Sequence, residues 1–333
     1  MKSIYHLCIS SRAGVLFRHP EDYRHFVNCL AITIFSTNSD LLTDSVMSNH
    51  VHMSIITENV PKFAGSLMRR YTRYYNRKYS WNLSRADLSV FFLELSGERH
   101  ILTAWSYILR NGLHHGICNL AFGYKQSTVS HLFNKDFGRE PVSHSITSRS
   151  EIKSYLPRHT EFPDNYIMDS TGMFMRESFT QIKRVEFSFM SASRFLFYMR
   201  RHSDEDWAKE QNEDNNGAEA ISLQNIEYGS DGSAIERMKH NEYGGVPNDK
   251  LLDEEVCAVI DYEYVLKYRR YSVHWLTSWE KNYVAKEMRL RFGRRISDAQ
   301  IKRCLFTSHQ PTGVDTHRME VGSSGADGLT VLR

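Results

Sequence analysis

Ser45-Val46-Met47-Ser48-Asn49-His50-Val51-His52-Met53-Ser54-Ile55-Ile56 is a largely apolar run, broken once at Ser48-Asn49, in which a single valine separates two histidines. The residues after the break have strand composition, and side chains of a strand alternate between faces. His50 and His52 therefore project together while Val51 turns into a core. Two neighbouring imidazoles can share a divalent cation. They under-coordinate a hard ion such as Mg²⁺ or Mn²⁺, so an oxygen ligand has to complete such a site. His-x-His also arises by chance, and its setting decides how it is read.

Upstream, Ile4 to Ser10 reads as a strand, and Pro20-Glu21-Asp22 opens a helix running to about Phe35, its acidic residues near the positive end. Leu41 to Met47 and Val51 to Ile56 are strands flanking the break. A second helix follows Pro61, with Phe63, Leu67, Met68, Tyr71 and Tyr75 at helical spacing and Arg69, Arg70, Arg73, Arg77 and Lys78 over the remaining face. Val90 to Leu95 is a further strand. A third helix is expected from Gly97 to near Gly116, placing Tyr107 and Asn111 together on its polar side at i, i+4 spacing. This order predicts an α+β fold, an antiparallel sheet with helices packed on one or both faces.

Cutting a phosphodiester needs a nucleophile, a cation to neutralise developing charge, and alignment. A tyrosine phenol can attack and store the bond energy as phosphotyrosine, although its usual pKa of about 10 calls for a base or a metal-polarised environment. Tyr107 qualifies, with Asn111 able to offer its carbonyl oxygen to an ion. Tyr71, Tyr74, Tyr75 and Tyr79 are rivals, but their basic, aromatic helix suits contacts to phosphates and unpaired bases better than attack. Arg69, Arg70, Arg73, Tyr74, Arg77 and Lys78 are accordingly the expected DNA contacts. His100, His114 and His115 read as surface residues or phosphate contacts, and Asp44 as a strand-start residue in water or a carboxylate behind the imidazoles.

Three segments in this order, Ser45 to Ile56, Tyr71-Thr72-Arg73-Tyr74-Tyr75-Asn76 and Tyr107-Ile108-Leu109-Arg110-Asn111-Gly112-Leu113, resemble the single-tyrosine HUH transposases, in particular the REP-associated tyrosine transposases. The resemblance spans roughly the first 135 residues; Ser48 and Gly112 stand where that family carries proline. It implies a ferredoxin-like HUH palm with Tyr107 as nucleophile and His50, His52 and Asn111 holding Mg²⁺ or Mn²⁺. It also implies a 5′-phosphotyrosine intermediate on single-stranded or hairpin DNA such as REP-like palindromes.

Residues 136–248 form an accessory region with a hairpin between Tyr166 and Met175, a helix from Glu177 to Arg201 and an acidic linker from Ser203 to Glu219. Residues 249–306 are mainly helical, with capping boxes at Thr277-x-x-Glu280 and Ser297-x-x-Gln300. That pairing fits a helix-turn-helix separable from the chemistry, with Arg291, Arg294, Arg295, Lys302 and Arg303 as its DNA contacts. Residues 307–333, rich in Gly, Ser and Thr, read as a disordered tail.

The 333 residues, 41% hydrophobic, suffice for a sizeable core, and a net charge of +3 is too small to point to nucleic acid by itself. Five scattered cysteines without a Cys-x-x-Cys pair argue for a reducing compartment and against a zinc ribbon. Neither a signal peptide nor a membrane-length apolar run is evident, so cytoplasm is expected. No phosphate-cradling glycine motif calls for a nucleotide cofactor. The residues leave open a metal-dependent strand transferase or endonuclease, a non-catalytic regulator binding hairpin or duplex DNA, and a phosphodiesterase using water; monomer and homodimer are both compatible.

Overall fold

The computed structural model describes the chain except Ala13, Gly116, Asn119, residues 140–144, 201–249 and 306–329, and Arg333. The first elements follow the order β1 (Ser3–Ser11), α1 (Pro20–Ser36), β2 (Asp40–Val46), β3 (His50–Thr57), α2 (Val60–Tyr79) and β4 (Leu88–Leu95). β1 pairs antiparallel with both β3 and β4, and β2 with β3, giving the spatial order β2-β3-β1-β4. Residues Thr330–Leu332 add a short strand to the β4 edge. A βαββαβ chain in this order is the ferredoxin-like arrangement, so the α+β expectation holds.

Alternation along the strands separates two layers. Leu7, Ile9, Val51, Met53 and Ile55 face α1 and α2 and pack with Phe26, Leu30, Phe63, Leu67 and Tyr71. Asp22 orders the entry to α1 by accepting from the backbone N–H groups of Arg18 (2.8 Å) and His19 (3.0 Å), while Asn59 caps α2 through Lys62 N at 2.8 Å. The opposite face is covered by α3 (Glu98–Leu109), anchored where Trp105 Nε1 donates to Ser54 Oγ at 3.0 Å. Leu102, Trp105 and Leu109 build a second core there with Leu42, Ile56, Phe189 and Phe195.

Two helices are shorter than expected. α3 ends at Leu109, and Asn111–His114 forms a separate turn, α4. The span from Glu177 to Arg201 divides into Arg176–Phe179, α5 (Ile182–Phe189) and α6 (Ala192–Arg200), the last break falling at Met190 with φ +68°. These pieces bend Phe189 and Phe195 onto α3, which one straight helix cannot do. The chain turns at Asp169 to Gly172, with Asp169 Oδ1 accepting from Thr171 N and Met173 N. The acidic linker lies outside the described residues, as does the tail from 306 to 329.

The C-terminal helices, α7 (Asp253–Val259), α8 (Ser278–Phe292) and α9 (Asp298–Cys304), are not separable in packing. Val15 of the first region lies in their core beside Val256, Ile260, Val284 and Ile301. Arg18, fully buried, donates to both oxygens of Asp261 (2.8 and 2.7 Å) and to Cys304 O at 2.7 Å, and His19 Nε2 lies 2.8 Å from the same carboxylate. Ser48 donates to Asp253 Oδ2 at 2.5 Å, and Asp253 also holds Arg303 through two bonds. Among the described residues no helix is long and apolar enough to cross a membrane.

Two partly buried histidines make this packing acid-sensitive. His25 stacks on Tyr74 (centroids 3.8 Å apart), and His274 stacks on Trp81 at 4.3 Å with its Nε2 3.0 Å from Tyr75 Oη. Burial pushes His25 down to about 4 and His274 down to about 3. Unfolded imidazoles protonate near pH 6.5, so below that value the unfolded chain binds more protons than the folded one. Stability is then complete above about pH 6.5 and falls as pH drops toward 4. Calorimetry at pH 7.5 and pH 5 should show a Tm lower by roughly 5 °C at the acid pH; an unchanged Tm contradicts these assignments.

Candidate active site on the imidazole face

β3 begins at His50, straight after a tight connection in which Leu16 N and Phe17 N both donate to Ser48 O, at 2.7 and 2.9 Å. The Ser48 hydroxyl is the group that reaches Asp253. This fixed start sets the alternation, and His50 and His52 emerge on the α3 face, 7% and 8% exposed, with ring centroids 5.1 Å apart.

The neighbours come from β1 and α3. In the β1–β3 register Cys8 lies opposite His52 and Ser10 opposite His50. His6 Nε2 is 3.1 Å from His52 Nδ1, with the two rings stacked, and Cys8 Sγ is 3.9 Å from His52 Nε2. Tyr107, half-buried, stands nearly perpendicular to His52 at 5.2 Å and to His6 at 6.2 Å. Asn111 is fully buried with Oδ1 3.3 Å from His50 Nε2, and the His115 ring lies 5.1 Å from that of His50. The four residues expected to carry the chemistry, His50, His52, Tyr107 and Asn111, are thus in one place. The turn after Leu109 keeps Asn111 on the side of Tyr107 although the helix does not continue.

Burial pushes His6 down to about 4, with His100 adding to the effect, so its ring is neutral at physiological pH. A neutral His6 can accept from His52 Nδ1–H, leaving Nε2 as the nitrogen able to ligate. His50 Nδ1 lies 2.8 Å from Asn49 Oδ1. In the tautomer that donates there, the lone pair of Nε2 faces Asn111 Oδ1. His50 Nε2 and Asn111 Oδ1 lie 3.3 Å apart and would together hold one divalent ion, a donor set of imidazole nitrogen and carboxamide oxygen that suits it. Among the described residues no three His, Cys, Asp or Glu side chains are already gathered as a metal cage.

Gly112 has a steric reason. A Cβ there would lie 2.6 Å from Tyr124 Cγ, and Tyr124 is fixed by donating to Val46 O at 2.5 Å. Gly112→Ala should therefore cost about 1–3 kcal/mol in urea denaturation through overpacking beside Asn111. A cost below about 0.5 kcal/mol would show that the Tyr124 ring moves freely.

The remaining expected contacts lie elsewhere. α2 occupies the opposite layer from the imidazoles. Its Arg69, Arg73 and Arg77 point outward, Arg70 reaches Ser36 Oγ, Lys78 pairs with Asp22 at 2.6 Å, and Tyr74 donates to Asp22 at 2.8 Å while stacking on His25. The rival hydroxyls are used internally: Tyr71 donates to Leu16 O at 2.7 Å, Tyr79 to Asp22 at 2.6 Å, and Tyr75 meets His274. In the C-terminal region Arg291 pairs with Glu263 and Arg303 with Asp253; both Arg294 and Arg295 are exposed, as is Lys302. Asp44 is neither in water nor at a strand start: it is buried in β2, bonded to Thr128 and paired with Arg176 at 2.9 Å.

His6 and Cys8 escaped the sequence reading as site residues. Their signal was the same i, i+2 alternation as His50 and His52; what was missing was the strand register that sets them opposite.

No protein-family model matches the chain, and no curated protein is similar to it by sequence. A solved structure described as "Structure of the REP associates tyrosine transposase bound to a REP hairpin" is similar with a TM-score of 0.34 and 12% identity, over 42% of this chain and 84% of that one.

Proposed function

We propose that this chain is a metal-dependent DNA strand transferase or endonuclease that acts on single-stranded or hairpin DNA through Tyr107. The observation that carries the reading is the Tyr107 ring packed against His52 while Asn111 meets His50 on the same face of the sheet. The resemblance of three sequence segments to the REP-associated tyrosine transposases supplies the substrate class.

The Tyr107 phenol gives up its proton as Oη attacks phosphorus, and the 3′-oxygen of the neighbouring nucleotide leaves and takes up a proton, so one P–O bond forms as another breaks. The 5′-phosphotyrosine conserves the bond energy for rejoining, and no nucleotide cofactor enters. His50, His52 and Asn111 would hold a Mg²⁺ or Mn²⁺ ion, which supplies charge neutralisation at the phosphoryl oxygens when bound. Asn49 and His6 orient the two imidazoles from behind, and the Trp105–Ser54 bond holds α3, and with it the Tyr107 ring, against the sheet.

The test is incubation of the full chain with end-labelled hairpin DNA and Mn²⁺. A detergent-stable adduct supports the proposal. Retardation without an adduct favours a binding regulator, and cleavage without an adduct favours water as nucleophile. His50→Ala and His52→Ala should each abolish Mn²⁺-dependent cleavage with the circular-dichroism spectrum unchanged; full activity in either variant removes that imidazole from the site.

A further inference from the structure

In the layer remote from the imidazoles, the end of α2 meets the C-terminal region and forms a second surface. Arg69, Arg73 and Arg77 recur every four residues along the outward side of α2. At its end Ser80, with φ +49°, turns the chain into Trp81, and the loop before α8 seats there: Ser272 Oγ donates to Tyr79 O at 2.7 Å and Trp275 Nε1 to Ser80 O at 3.0 Å. This seating leaves flat rings facing water. Trp81 stacks on His274 with planes 9° apart, Tyr271 stands edge-on to Trp275 at 6.0 Å, and Trp279 stacks on Tyr283 at 5.8 Å. Tyr271 is 84%, Trp279 68% and Trp275 52% exposed, so these rings add little to the core.

Cations lie among them. Lys267 sits 5.4 Å over the Tyr283 ring, and Arg269 is exposed. Glu280, in the first turn of α8, is buried and bonded to Arg270 and to Thr277 N. We propose that this surface binds single-stranded nucleic acid, bases stacking on Tyr271, Trp275 and Trp81 while phosphates follow Arg77 and Arg73. The positive row selects a polyanion. Rings lying flat in water select unpaired bases over a duplex, whose bases are hidden. The sheet separates this surface from Tyr107, and the proposal needs none of the residues of that site.

Fluorescence anisotropy of the full chain with a labelled oligothymidylate of roughly 12 nucleotides, within the usual site size, tests it. Binding should quench tryptophan emission. Tyr271→Ala should weaken affinity roughly tenfold, the scale of one lost stacking partner. Arg73→Gln with Arg77→Gln should flatten the log–log salt slope by about 1.4, two phosphate contacts' worth. Tyr107→Phe and His50→Ala should leave this affinity unchanged, so loss of the tyrosine chemistry and loss of this surface are told apart. The proposal is overturned by absence of oligothymidylate binding, as when a protein partner is the natural occupant, by equal affinity for blunt duplex, or by unchanged affinity in Tyr271→Ala. Loss of binding in His50→Ala would move the contact to the imidazole face and equally overturn it.

Discussion

Tyr107→Phe is expected to abolish the covalent protein–DNA adduct, a loss of at least ~10³-fold, while hairpin affinity stays within a few-fold. The substitution removes one oxygen and keeps the ring that packs on His52 and His6. No other tyrosine of the palm's basic helix is placed to take over. Tyr71, Tyr75 and Tyr79 are buried behind the sheet, Tyr74 is partly buried there with its hydroxyl on Asp22, and burial raises all four above the ordinary phenol range. Gel analysis of the adduct decides it. An adduct that persists in Tyr107→Phe and disappears in Tyr74→Phe would place the nucleophile on the wrong helix.

Asp261→Ala is expected to cost about 3–5 kcal/mol, a large share of the roughly 5–15 kcal/mol that holds an ordinary domain folded. Burial alone would raise the Asp261 carboxyl, but Arg18 and His19 outweigh it and hold the group down to about 2. Removing it leaves the Arg18 guanidinium in a fully buried position without the Asp261 carboxylate, while its bond to Cys304 O remains. The same pair sets an acid limit: its folded pKa is depressed, so its contribution is complete above about pH 4 and is lost as pH falls toward 2. Urea denaturation of the full chain measures the cost. A change below about 1 kcal/mol would show that the first region does not depend on the C-terminal helices. On this account a truncation near residue 140 yields insoluble protein, because it removes Asp253 and Asp261 from beneath Ser48 and Arg18.

The strands around His50 were legible because period-2 alternation and the Ser48-Asn49 break are local signals. The i, i+4 relation of Tyr107 and Asn111 survived even though the helix ends at Leu109, since a following helical turn preserves the side. What stayed hidden depended on contacts distant in sequence. His6 and Cys8 join the site only through the β1–β3 register. Asp44 looked like a solvated strand end until Arg176, far along the chain, closed over it. Composition could assign the cations of α2 to DNA, but the layer they occupy follows from which side of the sheet the crossover helices take.

The most direct measurement is mass spectrometry of the protein after reaction with hairpin DNA and Mn²⁺, nuclease trimming and tryptic digestion. The peptide of residues 100–110 contains Tyr107 as its one tyrosine. The account predicts a 5′-linked nucleotide phosphate on that peptide and on no other. A nucleotide carried by a peptide of α2, or cleaved DNA with every peptide unmodified, would contradict it.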